Sequence, residues 1–338
     1  EEELKRFWEK QKQVRPFSHE MQQNVNIKML RLKRWCIAAS VAAVLFLGLF
    51  LGAFFYHPSV VQVQVFAADK SAVDPKLNFG DITYVIKEET PDQQLYAHGI
   101  IATRKSIDLS TKKAATLPIE EQLQTLTTPC GQDYTVTLSD GTTVLLNAAS
   151  QLIFPDVFVK EQRIVYLKGE AYFDVAPDKE HPFIVKANDY QVTALGTEFN
   201  VNAYPESNEL VATLLEGSVK VEFNNLISNV ILKPNEQLIY NKHTKEHNLR
   251  LPEIDDVTAW QRGELVFSNM HLEDIFTSLE RKFPYAFVYS LHSMKKNTYS
   301  FRFQNQASLG EIMGIISQVV GDVNYVIKGN KCYVTNKK

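Results

Sequence analysis

Residues 134–175 read YTVTLSDGTTVLLNAASQLIFPDVFVKEQRIVYLKGEAYFDV, and this stretch decides the fold expected for the middle of the chain. Apolar and polar residues alternate over residues 134–138, and the alternation resumes at Val144 after Asp140-Gly141. A period of two is typical of a half-buried strand, and Asp-Gly between two such runs is a hairpin signal. The stretch therefore predicts a β-hairpin followed by further strands.

The same alternation recurs on the C-terminal side, over residues 171–175, 199–203 and 219–223. Turn-forming residues separate these runs: Gly131, Pro155, Gly169, Pro177, Pro182, Gly196, Pro205 and Gly217. Short strands at a spacing of about 8–12 residues predict a mainly β domain. Weaker strand-like pieces at 60–66 and 82–87 indicate a β-rich lead-in.

The apolar period changes near residue 264 to that of amphipathic helices. Two helices are predicted from apolar residues at i, i+3, i+4 and i+7: Leu272, Ile275, Phe276 and Leu279, then Leu309, Ile312, Met313 and Ile316. Each helix lies between β-runs, and Ser308 with Glu311 forms a capping box. This pattern predicts a small α+β domain built from a duplicated β-α-β unit, with a final strand at Lys331–Thr335.

Residues 35–56, WCIAASVAAVLFLGLFLGAFFY, form an uninterrupted apolar segment. As a helix it would be about 33 Å long, against a hydrocarbon core of about 30 Å. Trp35 and Tyr56 stand at its two ends, where interfacial aromatic residues belong. The segment predicts one transmembrane helix; a buried core helix and a cleaved signal peptide are the alternatives.

Basic residues precede this segment, and Arg31, Lys33 and Arg34 lie directly against it. The positive-inside rule then places the N-terminus in the cytoplasm and the rest of the chain outside. The whole chain has 338 residues and a formal net charge of −3, which argues against a nucleic-acid-binding protein. Three cysteines are too few for a disulfide framework.

A family resemblance rests on six short pieces that follow one another in order. They are Leu138-Ser-Asp-Gly-Thr, Leu146-Asn-Ala, Leu167-Lys-Gly-Glu-Ala-Tyr-Phe, His181-Pro-Phe-Ile-Val, Leu195-Gly-Thr-Glu-Phe-Asn-Val and Leu215-Glu-Gly-Ser-Val. In this order they closely resemble the periplasmic domain of FecR-type anti-sigma factors. The resemblance implies that the mainly β domain is either a β-solenoid or an irregular sandwich. The C-terminal duplication is similar to the STN domain of secretins and TonB-dependent receptors, an arrangement seen in Bacteroidetes members of the family.

The resemblance implies a domain order and a function. The order is a cytoplasmic stub (1–34), a transmembrane helix (35–56), a periplasmic lead-in (57–128), a FecR β domain (129–250) and an STN-like docking domain (251–338). The implied function is that of a single-pass inner-membrane anti-sigma factor. It binds an ECF sigma factor in the cytoplasm and is signalled by a TonB-dependent outer-membrane receptor, which controls transcription of uptake genes.

The stub is shorter than the sigma-binding segment usual in the family, so we expect that segment to be truncated here. The alternative function is a membrane-anchored periplasmic carbohydrate- or wall-binding module. Such a module needs an aromatic platform, for which Tyr172 and Tyr204 are the candidates.

Partner docking is expected at exposed sheet edges of the C-terminal domain, by addition of a partner strand. The first candidate is the final strand: Lys331, Cys332, Tyr333, Val334 and Thr335. The second is the strand that opens the domain: Glu264, Leu265, Val266 and Phe267.

The chain is not expected to be an enzyme, and no cofactor or metal is expected. His243-x-x-Glu246-His247 matches a zinc-protease spacing, but its polar surroundings favour a hairpin turn. Glu170 and Asp174 share one strand face, which we interpret as solvated. Cys130 and Cys332 lie in different domains, so a disulfide between them is not expected.

Gly196-Thr197 is the one candidate position for a chemical step. Some relatives cleave themselves at a Gly-Thr bond through an N-to-O acyl shift, and glycine permits the strained backbone that such a step needs. The alternative is that Gly196 only turns the chain into the strand that follows.

Overall fold

The computed structural model describes residues 74–79, 82–86, 100–103, 105–111, 122–188, 190–223, 229–289 and 297–336. The chain divides into two compact units between Gln64 and Val65, and all described residues belong to the second unit. The predicted transmembrane segment, residues 35–56, lies outside the described residues together with its flanking Arg31, Lys33 and Arg34. Within the described part, no helix is long and apolar enough to cross a membrane.

Seventeen strands form the first part of the described chain. They are β1 (Lys76–Phe79), β2 (Ile82–Val85), β3 (Ile101–Ala102), β4 (Ser106–Asp108), β5 (Leu123–Thr127), β6 (Tyr134–Thr137), β7 (Thr143–Leu146), β8 (Gln151–Pro155), β9 (Arg163–Asp174), β10 (Phe183–Ala187), β11 (Tyr190–Ala194), β12 (Glu198–Ala203), β13 (Glu209–Glu216), β14 (Val219–Phe223), β15 (Asn229–Leu232), β16 (Gln237–Asn241) and β17 (His247–Arg250). We call this part the sandwich.

The strands make two sheets that share β9. The first sheet has the order β2-β1-β5-β8-β9-β10-β11-β14-β15. The second has the order β3-β4-β6-β7-β9-β12-β13-β16-β17. Apart from the parallel pairs β4–β6 and β9–β10, the neighbouring strands are antiparallel. Of the two expected arrangements, this pairing corresponds to the irregular sandwich.

One hydrophobic core fills the space between the two sheets. Phe173 of the second sheet lies 6.1 Å from Phe183 of the first, measured between ring centroids. Phe223 and Tyr240 bridge the sheets in the same way at 4.6 Å. β1 and β5 join the first sheet and β3 and β4 the second, so the predicted lead-in is structurally continuous with the sandwich.

Gly169 is the point at which β9 leaves one sheet for the other. Before it, β9 pairs with β8 and β10; from it onward, β9 pairs with β12 and β7. Gly169 has φ +105°, and a Cβ there would lie 2.3 Å from the Ser150 Oγ and 2.7 Å from the Ser150 Cα. Glycine is therefore required both by the backbone conformation and by the close approach of β8.

The second part of the described chain is the C-terminal α+β domain. Its elements are α1 (Ile254–Thr258), a 3₁₀ turn (Ala259–Arg262), β18 (Leu265–His271), α2 (Leu272–Lys282), β19 (Ala286–Tyr289), β20 (Thr298–Phe303), α3 (Leu309–Val320), β21 (Val323–Lys328) and β22 (Lys331–Asn336). The predicted duplicated β-α-β order is confirmed, and the Ser308–Glu311 capping box opens α3. A second hydrophobic core, separate from the first, holds α2 and α3 against the sheets.

The strands of this domain form a two-stranded sheet, β18-β20, and a three-stranded sheet, β19-β22-β21. β22 is the central strand of the latter, parallel to β19 and antiparallel to β21. The expectation that Lys331–Thr335 offers an open edge is therefore wrong, because both its sides are already paired. β18 pairs only with β20 among the described strands, so the second predicted edge, Glu264–Phe267, keeps an open side.

Candidate functional site

An apolar row crosses the outer face of the three-stranded sheet. Val288 of β19 is opposite Tyr333 of β22, which is opposite Val326 of β21. Their side chains are 44%, 39% and 51% exposed, respectively. Directly opposed side chains on one face act as a single surface, so these three residues form one continuous apolar row. We call this surface the docking face.

The charged residues on the docking face are all basic. Lys331 stands two residues before Tyr333 and is opposite Lys328 of β21, and both residues are exposed. Asn324 and Thr335 flank the row on its other side. β19, β21 and β22 carry no acidic residue, but Glu280 of α2 lines a pocket together with Val288 at the β19 edge. The positive charge therefore lies at the Lys328–Lys331 end of the apolar row.

Helix α2 supports this sheet from behind. Phe276 stacks on Phe287 at 5.0 Å and contacts Tyr289 at 5.4 Å, measured between ring centroids. The Phe287 backbone N–H donates to Glu280 Oε1 at 2.6 Å. A helix carboxylate thus occupies one of the main-chain donors of β19, which reduces the tendency of this strand to pair with another chain.

A charged network fixes the segment that leads into β18. Arg302 Nη1 donates to Glu264 Oε2 at 2.6 Å, and Arg302 Nη2 donates to Asp255 Oδ2 at 3.1 Å. Arg262 Nη2 also reaches Asp255, at 2.7 Å. The hydrogen bond from Arg302 is the main cause that lowers the pKa of Asp255. Of the second predicted docking strand, Glu264 is therefore already engaged within the domain.

The Gly196-Thr197 bond lies in the turn between β11 and β12, in a conformation restricted to glycine. Gly196 has φ +133°, and a Cβ there would lie 2.8 Å from the Pro177 Cα. Thr197 is 7% exposed, and its Oγ1 is buried without a hydrogen-bond partner among the described residues. A buried hydroxyl without a partner is costly and calls for an explanation, such as a catalytic role.

Two other segments of the same chain, at Gly217 and Val175, lie close to this bond. A Cβ on Gly217 would lie 2.5 Å from Thr197 Cγ2 and 3.2 Å from the Gly196 carbonyl oxygen. The Val175 N–H donates to the Thr197 carbonyl at 3.1 Å. Gly196 therefore does turn the chain into β12, and the turn also holds an unpartnered hydroxyl beside a peptide whose conformation favours glycine.

Glu170 is not on a solvated strand face, so that interpretation is wrong for this residue. Its carboxyl oxygens accept hydrogen bonds from Asn147 Nδ2 at 2.8 Å and Asn200 Nδ2 at 3.0 Å. Burial raises the pKa of the carboxyl, although these hydrogen bonds and the charge of Arg281 oppose the shift. Asp174, on the same strand, is exposed as expected.

Of the two candidate aromatic platforms, Tyr204 does not present a ring for a carbohydrate, and Tyr172 is half-buried. Tyr204 is buried, and its hydroxyl donates to the Ala148 carbonyl at 2.8 Å. The Tyr172 hydroxyl donates to Glu198 Oε2 at 2.6 Å, and burial raises its pKa. Sequence reasoning missed Tyr166, which is exposed on the first sheet beside Lys186.

The His243–His247 segment is the turn of the β16–β17 hairpin, as predicted. The Asn241 side chain accepts the backbone N–H groups of His243 and Thr244 at 2.9 and 3.0 Å. The described residues contain no group of three or more His, Cys, Asp or Glu that could hold a metal ion. Cys130 and Cys332 are not joined in a disulfide.

Comparison with known proteins gives two family matches. Residues 124–220 match the model of the FecR protein family, and residues 264–334 match the model of the FecR C-terminal domain. These ranges fall in the sandwich and in the C-terminal domain, respectively. No curated protein matches the chain.

Two solved structures from Parabacteroides distasonis, each provisionally assigned as an anti-sigma factor, are similar to the chain. One, at 1.65 Å resolution, is 29% identical with a TM-score of 0.60, and the match covers 63% of this chain and 99% of that one. The other, at 2.50 Å, has the same identity and TM-score and covers 64% and 100%.

Proposed function

Because this chain belongs to the FecR family, we propose that it is an anti-sigma regulator that carries a signal across the inner membrane. Residues 1–34 bind an ECF sigma factor in the cytoplasm, and residues 35–56 span the membrane once. The sandwich and the C-terminal domain lie in the periplasm. The signal comes from the signalling domain of a TonB-dependent outer-membrane receptor, and it controls transcription of uptake genes.

The observation that carries the receptor-coupled part is the docking face. Val288, Tyr333 and Val326 form an exposed apolar row, and the charged residues on the strands that carry it are basic in the part of the chain that the structure describes. A partner that fits this face presents an apolar strand or helix flanked by acidic residues, because apolar contact supplies affinity and opposite charge selects the partner. We assign this role to the receptor's signalling domain.

Substitution on the docking face tests this assignment. The full chain is used to capture purified signalling domains of TonB-dependent receptors from the same cell. Val326→Glu places a charge in the centre of the apolar row and is expected to weaken capture about tenfold or more, a loss of about 1.4 kcal/mol. Lys331→Glu is expected to weaken capture more at low salt than at high salt, because salt screens the repulsion that the reversed charge causes.

The matched control is Val319→Glu on α3, where a valine that is 61% exposed lies away from the docking face. This variant should capture the signalling domain like the unchanged chain. If the Val326→Glu variant captured the signalling domain as well as the unchanged chain does, the docking site would lie elsewhere. Failure of the unchanged chain to capture any signalling domain would refute the receptor-coupled function.

We further propose that the chain cleaves itself once between Gly196 and Thr197. Thr197 Oγ1 attacks the Gly196 carbonyl carbon, the C–N bond breaks, and the hydroxyl proton ends on the released amine of Thr197. Water then hydrolyses the ester, which leaves a carboxylate on Gly196 and restores the hydroxyl. The unpartnered Oγ1 and the φ of +133° at Gly196 support this step.

The expected product is two fragments that meet at this bond, with Thr197 as the new N-terminus on sequencing. Thr197→Ala should abolish the cut, because the nucleophile is gone, and Thr197→Ser should keep it. Thr193→Ala, on the preceding strand, is the control and should be cut normally. An intact unchanged chain, or cutting of the Thr197→Ala variant, would exclude the acyl shift.

A further inference from the structure

The sandwich and the C-terminal domain meet around one side chain, Arg281, in the last turn of α2. Its guanidinium carbon lies 3.8 Å from the centroid of the Tyr204 ring. Its Nη1 is 2.8 Å from Glu206 Oε1, and the Gly131 N–H donates to the Arg281 carbonyl at 2.8 Å. Three different interactions thus join one residue of α2 to two segments of the sandwich.

The sandwich is shaped to accept this turn of α2. Gly131 has φ +77°, and a Cβ there would lie 2.8 Å from the Lys282 carbonyl oxygen. Any other residue would push the helix end away. On the helix side, Arg281 Nη2 donates to Ser278 Oγ at 2.8 Å, which holds the guanidinium in position over Tyr204.

The contact between the sandwich and the C-terminal domain at Arg281 is of a kind that can break while both domains stay folded. The two hydrophobic cores are separate clusters, and no residue of one belongs to the other. What joins the parts at this point is a cation–π contact, an ion pair and a main-chain hydrogen bond. Domains joined by polar contacts are expected to move relative to one another, unless a large hydrophobic interface prevents it.

The same turn of α2 also reaches the docking face. Glu280, the neighbour of Arg281, accepts the Phe287 N–H at 2.6 Å. Phe287 precedes Val288, the β19 member of the apolar row. One helical turn therefore contacts both the strand that carries the docking face and the surface of the sandwich.

We propose that Arg281 is a releasable latch between the two domains, through which a displacement of β19 is passed to the sandwich. The latch itself is independent of the proposed function. Only its role in passing a receptor signal rests on that function.

Hydrogen exchange of the Gly131 amide in the full chain reports whether the latch is closed, because this N–H donates to the backbone carbonyl of Arg281. Exchange of such an amide follows the population of the open state. Arg281→Ala is expected to raise its exchange rate about tenfold or more, as loss of about 1.4 kcal/mol of contact energy would. Gly131→Ala, which acts from the sandwich side, should likewise raise exchange over residues 129–134.

Each variant has a matched control. Arg262→Ala removes an arginine whose ion pairs stay within the C-terminal domain, and it should leave exchange of the Gly131 amide unchanged. Gly141 has a similar φ of +87° and no atom within 4 Å of its would-be Cβ, so Gly141→Ala adds backbone strain without separating the domains. Amides in β13 and α3 should keep their protection in all variants, which shows that both cores stay folded.

Unchanged Gly131 exchange in the Arg281→Ala variant would overturn the latch, as would equal effects of Arg281→Ala and Arg262→Ala. Should Arg281→Ala unfold the C-terminal domain, Glu206→Gln tests the same contact from the half-exposed partner on the sandwich. It must then raise exchange of the Gly131 amide for the proposal to stand. None of these measurements involves a receptor, so failure of the latch and failure of receptor docking are separate results.

Discussion

Glu170 and Asp174 lie four residues apart on one strand, yet only Asp174 is exposed. Burial raises the pKa of Glu170 above its ordinary value of 4.5. The folded chain therefore binds more protons at this residue than the unfolded chain, and its stability falls as pH rises from about 4.5. Replacement by glutamine keeps the shape and removes the charge, and its new N–H can be accepted by the unpartnered Asn200 Oδ1 once that amide rotates. We expect Glu170→Gln to unfold at higher urea concentration than the unchanged chain at pH 8.

Urea unfolding at several values between about pH 5 and pH 8 checks this expectation. The advantage of the Glu170→Gln variant should shrink as pH falls, because the native glutamate then becomes neutral as well. Asp174→Asn on the same strand is the control and should show no such trend. An advantage that stays constant with pH would mean that the glutamine acts through packing and not through charge.

At the scale of elements, β9 is the strand on which the sandwich depends, since it belongs to both sheets. Its passage from one sheet to the other needs Gly169, where a Cβ would lie 2.3 Å from Ser150 Oγ. We expect Gly169→Ala to lower the free energy of unfolding by about 3 kcal/mol or more, because it combines a backbone penalty with a steric clash. Denaturant unfolding measures the loss.

The matched control is again Gly141→Ala, where φ is also positive but nothing lies near the would-be Cβ. That variant should lose only the backbone penalty, about 1–2 kcal/mol. If both variants lost the same stability, the close approach of β8 to β9 would contribute nothing. The difference between the two losses therefore measures the steric part alone.

At the scale of the whole molecule, the described residues form two separate cores, which are joined where α2 meets the sandwich. The docking face and the Arg281 latch lie on different surfaces of the C-terminal domain, so Val326→Glu and Arg281→Ala probe them independently. The latch variants are expected to change domain coupling without changing the docking face. A regulator of this kind needs both: a surface that receives a partner and a contact that responds to it.

Local elements could be predicted from the sequence because their signals are periodic. The hairpin around Asp140-Gly141, the two amphipathic helices and the capping box at Ser308 all appear where the pattern placed them. The pattern did not reveal the second role of Asp140. Its Oδ2 is 2.7 Å from Nη1 of the buried Arg163, a residue 23 positions away, and no local signal reports such a pair.

The sequence alone determined the mainly β class, the α+β C-terminal part and the family resemblance, because alternation, helical period and motif order are properties of neighbouring residues. Only the tertiary structure decided that Lys331–Thr335 is a central strand and that the half-buried Glu170 carboxyl is held by hydrogen bonds from Asn147 and Asn200. It also decided that Arg281 covers Tyr204, 77 positions earlier in the chain. These features depend on which distant strands pair and which faces meet. That choice is made by burial of the whole chain and not by any local period.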